Sequence, residues 1–397
     1  MIGTTLEPAM SENGARALRR AQDIGELVAR EAVATEEAAT ITQPVLDALI
    51  EAKLNWVVVP KDLGGLGLSM AEGVRIAEEI ARADGSTGWS YMATAFGTAI
   101  VSGFISSEGA AELFHKDRPA ITAGMLLPRG TAARVDGGYL IDGNYSFASG
   151  SAFADWIGVG FLVADEDGQL IVDDNGTPEA RIGLLPRDEV DFKGGWNVWG
   201  LVGTGSYDYS VDRKFVPEHL TLPTFATEPV HPDPIFRIGT VGLGVLGHAA
   251  VVLGLAHRAL EEVATITAKK VRIGQTTPVG DSELFRHGFA SAEASLQAAR
   301  LYVYHVIDQA EITAARGESL TAEQTARLRQ AVTWVHARAK EIVDFAHLWS
   351  GSSGIRDNTA IGRCVRDMAV ATQHVLVDQG SLADATVDII AGYRSQA

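Results

Sequence analysis

The chain has 397 residues, 46% of them hydrophobic and 21% charged, which is enough for two or three domains with sizeable cores. A formal net charge of -17 speaks against nucleic acid or an anionic membrane as partner, because both bind through basic patches. The single cysteine, Cys364, allows neither an internal disulfide nor a cysteine-based metal cluster, and the absence of a signal-peptide pattern at the N-terminus gives a cytoplasmic, reduced setting as the expectation.

Residues 11–118 read as helical. Leu18, Ile24, Leu27 and Val28 recur at helical spacing, as do Val45, Leu46, Leu49 and Ile50. A short apolar run over 54–59 stops at Pro60, and Asp62-Leu-Gly-Gly-Leu-Gly67 forms a loop. Ser69 is placed as the N-cap of a helix over 70–83, with Glu72 completing a capping box. Asp84-Gly-Ser-Thr-Gly88 breaks that helix, and an apolar segment follows over 89–104.

From Pro119 the texture changes to short strand-like runs at 121–127, 132–141, 144–147, 156–163, 170–172, 180–185 and 207–215. Turn signals such as Asp136-Gly-Gly138, Asp142-Gly143 and Asp174-Asn-Gly176 separate them, at the spacing of a small β-barrel or sandwich. A Pro-rich connector over 216–234 leads into helices at 238–270, 281–309, 321–350 and 359–391, the last two parted by a Gly- and Ser-rich loop. The most apolar stretch, 238–256, is Gly-rich and carries His248, unlike a membrane span. Helices, then strands, then helices exclude Rossmann and TIM patterns, which alternate throughout.

Four features bear on chemistry. Along the strand from Gly138, Tyr139, Ile141, Tyr145, Phe147 and Ser149 alternate to one side, while Leu140, Asp142, Asn144, Ser146 and Ala148 face the other. Its Ser149-Gly150-Ser151 end sets hydroxyls and N–H groups beside an aromatic, an edge for a flat, polar-rimmed ligand or an ordinary half-buried hairpin. Trp196 and Trp199, near Gly203-Thr-Gly-Ser206, make an aromatic wall with backbone donors or a turn beside core tryptophans. His374 falls on the last long helix, with Asp367 and Asp378 on its face. A carboxylate there would fix the imidazole tautomer and raise its pKa, as acid–base work requires; a satisfied structural histidine is the other reading. Gly242-Leu-Gly-Val-Leu-Gly247 matches G-x-G-x-x-G without the strand and βαβ unit that a dinucleotide site needs, so close helix packing explains it.

Five segments in order resemble the acyl-CoA dehydrogenase fold and, within it, flavin-dependent monooxygenases. They are Val59-Pro-Lys-Asp-Leu-Gly-Gly65, Gly85-Ser-Thr-Gly-Trp89, Asp142-Gly-Asn-Tyr-Ser-Phe-Ala-Ser-Gly150, Trp196 with Gly200-Leu-Val-Gly-Thr-Gly-Ser206, and Arg366-Asp-Met-Ala-Val-Ala-Thr-Gln-His374. The resemblance implies an α+β, mainly helical fold. It divides into an N-terminal helical domain (1–118), a middle β-barrel or sandwich (119–222) and a C-terminal four-helix bundle (223–397). It implies a two-component enzyme, like the oxygenase component of 4-hydroxyphenylacetate 3-hydroxylase and indole-3-acetate monooxygenase. A flavin reductase supplies reduced FMN or FAD, O2 is co-substrate, and a flavin C4a-hydroperoxide passes one oxygen to a small aromatic or heteroaromatic molecule, with no metal. A homotetramer built through the C-terminal helices is implied too.

Carried over residue by residue, Phe147, Ser149, Trp196, Thr204 and Ser206 would hold the flavin, with Ser149 near N5. His374 and Ser149 would be catalytic, and Trp89, Phe96 and His374 would meet the substrate. Three positions depart from the pattern: Val202 replaces the usual Arg, Tyr145 stands for Trp, and Phe96-Gly-Thr98 occupies the place of a substrate-side histidine. The substrate could then be an indole, another heteroaromatic or an amine. A true acyl-CoA dehydrogenase with tightly bound FAD would need a glutamate base, yet none follows Glu341, and Val375 stands where that base would fall. An oxidase with Asp367 or Asp378 as base, and a scaffold without chemistry, complete the alternatives.

Overall fold

Side-chain caps start six of the α-helices of this computed structural model, which describes residues 10–114, 118–165 and 167–395. Residues 1–9 and 115–117 of the expected N-terminal domain, and 396–397 of the C-terminal one, lie outside the described residues. Ser11 caps α1 (Glu12–Ala38), which is followed by α2 (Gln43–Glu51). The expected capping box forms between Ser69 and Glu72 at the start of α3 (Met70–Ala83). Glu72 also accepts from Ser11 N at 2.6 Å, so one carboxylate ties the starts of α1 and α3.

The break after α3 is shorter than Asp84-Gly-Ser-Thr-Gly88. Asp84 alone is extended, and its Oδ2 accepts from Thr87 N at 2.8 Å, so α4 (Gly85–Phe104) starts at once. Trp89 therefore lies in the second turn of a buried helix. A short α5 (Ser107–Leu113) leads to the strands.

The strands are β1 (Thr122–Val135), β2 (Gly138–Ala148), β3 (Trp156–Ala164), β4 (Ala180–Pro186), β5 (Asp191–Gly194), β6 (Tyr207–Pro217) and β7 (Thr221–Pro223). They form one seven-stranded sheet in the order β5-β6-β2-β1-β3-β4-β7, with β1 and β3 parallel. The sheet curls on itself: a Cβ on Gly183 of β4 would lie 3.0 Å from Ile141 of β2 and 3.3 Å from Val216 of β6.

Two expected boundaries shift. The run at 132–141 is not one strand, because Asp136-Gly137 turns β1 into β2, with Gly137 at φ 76°. Asp142-Gly143 is not a turn. There the β2–β6 ladder slips register, Arg213 takes φ 44°, and its N–H donates to Asp142 Oδ1 at 2.9 Å; the bulge absorbs what the sequence spells as a turn. Residues 170–172 make only isolated bridges, through Leu170 and Val172.

The C-terminal helices are α6 (Gly239–Lys269), α7 (Glu283–Ala315), α8 (Ala322–Ser350), α9 (Ala360–Ala371) and α10 (Gln379–Ser395). Helix α6 is long and apolar enough to cross a membrane, but 89% of its most apolar window is buried inside the fold. Its glycine run serves close packing: a Cβ on Gly247 would sit 2.6 Å from both Met92 and Phe96 of α4. The expected helix at 359–391 is in fact two. His374 is extended at ψ 137°, a 3-10 turn follows over Val375–Val377, and α10 starts afresh.

Candidate functional site

The alternation of β2 fails at its end, and the failure builds one wall of the site. The ladder slips between Tyr145 and Ala148, so Phe147 turns out at φ 67° and is 64% exposed, while Ala148 is fully buried. A bulky residue in the left-handed region is a strained outlier of the kind that gathers at binding sites. Phe147 therefore does not share a side with Tyr145. Its ring meets Trp196 edge-on, with centroids 6.0 Å apart, and the two make an apolar corner.

Ser149 turns inward beside this corner. Trp89 Nε1 donates to Ser149 Oγ at 3.0 Å, and Ser149 Oγ lies 2.7 Å from Ser206 Oγ. Ser206 Oγ lies 2.7 Å from Thr204 Oγ1, which donates to Leu201 O at 2.8 Å. Trp196 Nε1 donates to the same carbonyl at 3.1 Å. Ser149, Trp196, Thr204 and Ser206 thus form one network. Trp199 stands outside it and is exposed.

The other wall is aromatic and helical. Trp89 lies edge-on to His248 of α6 at 5.1 Å and to His374 at 5.7 Å, and the two imidazoles lie 4.2 Å apart. Leu376 N donates to His374 Nδ1 at 3.3 Å, which leaves the proton of the neutral ring on Nε2. His336 of α8 is fully buried behind them, and its Nδ1 donates to Val332 O at 2.7 Å. Its Nε2, like His248 Nδ1, has no hydrogen-bond partner among the described residues. On its outer side His336 lines an open cavity of about 320 Å³ with Thr333, Lys340, Thr372 and Gln379.

The expected carboxylate partners of His374 are elsewhere. Asp367 is fully buried on α9, where its Oδ1 accepts from Leu201 N at 2.6 Å. Burial, with the neighbouring Asp84 adding to it, pushes its carboxyl up to about 8. Asp378 instead accepts from Ser381 N at 2.7 Å in the first turn of α10. The shared face required an unbroken helix, and the chain leaves helix before His374. Burial lowers His374 to about 4, the opposite of the expected rise. Burial also lowers His336 to about 4 and His248 well below its ordinary value. All three imidazoles are neutral at pH 7.

Phe96 is not part of this cluster; it is buried in the helix core, its ring against Gly73 and Gly247. The sequence reading passed over His248 and His336. His248 had a signal: it is the one ionisable side chain between Arg237 and His257, in the middle of the most apolar helix. His336 had none, since its neighbours in sequence are mixed.

The two walls enclose what a flat conjugated ring with a polar edge requires: an apolar aromatic corner, one hydroxyl at its rim, and neutral imidazoles opposite. The chemistry of these residues suits a flavin ring. Among the described residues, no group of three or more His, Cys, Asp or Glu side chains is placed to hold a metal ion.

Residues 19–124 match the model of the acyl-CoA dehydrogenase N-terminal domain, and residues 246–379 match that of the acyl-CoA dehydrogenase C-terminal domain. The chain is 31% identical to an indole-3-acetate monooxygenase of Pseudomonas putida, over 85% of this chain and 84% of that protein. It is 24% identical to the oxygenase component of p-hydroxyphenylacetate 3-hydroxylase of Acinetobacter baumannii, over 92% and 86% of the two. In fold it is similar to XiaF from a Streptomyces species, solved in complex with FADH2 and glycerol, with a TM-score of 0.85 and 21% identity over 94% of this chain and 96% of that one.

Proposed function

The chain belongs to the flavin-dependent monooxygenases of the acyl-CoA dehydrogenase fold, and we propose that it inserts one oxygen atom of O2 into a small aromatic or heteroaromatic molecule, using reduced FMN or FAD delivered by a partner reductase. The observation that carries this reading is the position of Trp89, bonded to Ser149 on one wall and edge-on to His374 on the other. One indole thereby joins the flavin-side hydroxyls to the substrate-side imidazoles.

Phe147 and Trp196 would flank the flavin ring, and Ser149 would meet its N5 edge, backed by Ser206 and Thr204. A reduced flavin held there would supply the two electrons that activate O2. The chain's own residues do the rest. The apolar corner and buried helices keep water and stray protons away. Breaking an aromatic C–H releases a proton, and the second oxygen must gain one to leave as water. His374, neutral and partly desolvated, can take that proton and return it. His248, packed on His374, offers an open ring nitrogen to a polar group of the substrate. Against the dehydrogenase alternative, Val375, where its usual base would fall, lies in the turn beside His374 and cannot accept a proton, so that base would have to come from a glutamate on another helix. Asp367 and Asp378, the oxidase candidates, are engaged with Leu201 and Ser381. A homotetramer is part of the proposal: Leu348 and Ile355, each more than 70% exposed on the C-terminal helices, are surface that a second copy would cover.

The test mixes the protein anaerobically with photoreduced FMN or FAD, adds 18O-labelled O2 and screens aromatic compounds. A product carrying one labelled oxygen is the expected result. A protein that holds FAD tightly through purification and reduces a dye on addition of acyl-CoA would overturn the reading.

A further inference from the structure

We infer that the hydroxyl chain fixes Ser149 as a hydrogen-bond acceptor only, so that the site selects the N5–H edge of reduced flavin over the bare N5 of oxidised flavin. This rests on the flavin reading above and adds to it a cause for redox selectivity, with Thr204 and Ser206 as positioning residues.

The argument follows protons along the chain. Leu201 O is a carbonyl and can only accept, so at 2.8 Å the Thr204 hydroxyl must spend its single proton there. Thr204 Oγ1 is then an acceptor toward Ser206, 2.7 Å away, and Ser206 spends its proton on Thr204. Ser206 Oγ in turn accepts from Ser149 at 2.7 Å. At the other end an indole N–H can only donate, so Trp89 takes one lone pair of Ser149 Oγ at 3.0 Å. Ser149 is left with no proton to give and one lone pair free. The three hydroxyls are nine-tenths or more buried, so water cannot readily reverse the order.

A reduced flavin carries a hydrogen on N5 and can donate to that lone pair. An oxidised flavin presents a nitrogen lone pair there, and two acceptors would face each other. Such a mismatch costs about tenfold or more in affinity. The product flavin is therefore disfavoured as soon as its N5 loses hydrogen, which assists its release.

Anaerobic equilibrium dialysis of reduced and oxidised FMN and FAD against wild type, Thr204→Val and Thr204→Ser tests this. Wild type should prefer the reduced form. Thr204→Val frees the Ser206 proton, which can then turn to Ser149, so the preference should fall about tenfold through tighter binding of oxidised flavin. Thr204→Ser should restore it. Ser206→Ala, which frees the Ser149 proton directly, should act like Thr204→Val and serves if that variant does not fold. In wild type, 5-deaza-FMN, with carbon in place of N5, should show no redox preference. A folded Thr204→Val or Ser206→Ala protein with the wild-type ratio overturns the inference. So does a wild type that binds both redox forms equally, or one that keeps its preference with 5-deaza-FMN. Failure to bind flavin in either state would sink the underlying function instead.

Discussion

The two walls of the site handle polar atoms in opposite ways. On the β side, Ser149, Ser206, Thr204 and the Leu201 carbonyl satisfy one another from end to end. On the helical side, His248 and His336 each keep a buried ring nitrogen without a partner among the described residues. Buried acceptors left open cost stability, so a protein keeps them where a ligand or a proton will fill them. The difference follows from the scaffolds. Hydroxyls on two adjoining loops can approach to 2.7 Å, whereas imidazoles on separate helices and a turn meet ring to ring at 4.2 Å. In the proposed function the β wall reads an edge of the flavin and the helical wall exchanges protons.

That contrast can be broken in several ways. The largest effect should come from His374→Ala, which removes the proton carrier. Product formation should fall about 10²- to 10⁴-fold, while reduced-flavin affinity changes little. Unchanged coupling of oxygen consumption to product would show that the helical wall does not manage the proton. Gly247→Val would push α6 away from Met92 and Phe96 and carry His248 with it. It should cost about 1–3 kcal/mol in urea unfolding and lower turnover as well. On the β wall, Ser149→Ala should speed hydrogen peroxide release about tenfold, the worth of one hydrogen bond; an unaltered oxygen-adduct lifetime in stopped flow would refute that assignment.

The smallest effect concerns the joint between the walls. Asp367 is raised to about 8, so its folded form holds a proton that the unfolded chain gives up near 4. Stability from this group is whole below the unfolded pKa and is lost as pH rises toward 8. His248, His336 and His374, all lowered by burial, act the other way and cost stability as pH falls through 6.5, where each is already half protonated in the unfolded chain. Between pH 6.5 and 8 these histidines oppose Asp367, so its share is read as the difference between wild type and Asp367→Asn. Asp367→Asn should remove a decline of about 1 kcal/mol there, read by urea unfolding at the two pH values. Wild type and Asp367→Asn with the same pH dependence would show that Leu201 is held by a carboxylate already charged.

Much of this was written locally. Ser69 and Glu72 announce a capping box because the bond spans three residues. The glycines of α6 announce close packing, and the motif from Arg366 to His374 ends on the residue that lies against Trp89. What failed were inferences that assumed regular structure would run on. The shared face of Asp367, His374 and Asp378 needed an unbroken helix, and the shared side of Tyr145 and Phe147 needed an unslipped strand.

From the sequence alone came the order of helices, strands and helices, and the residue types that could do flavin chemistry. Periodicity and caps are properties of neighbours within a few residues, so they can be read along the chain. Only the tertiary structure decided that Trp89, Ser149, His248 and His374 meet, that the hydroxyls of Ser149, Ser206 and Thr204 lie within hydrogen-bond distance, and that burial keeps the imidazoles neutral. Those depend on contacts between residues far apart in the chain and on the water they exclude, which no local pattern encodes.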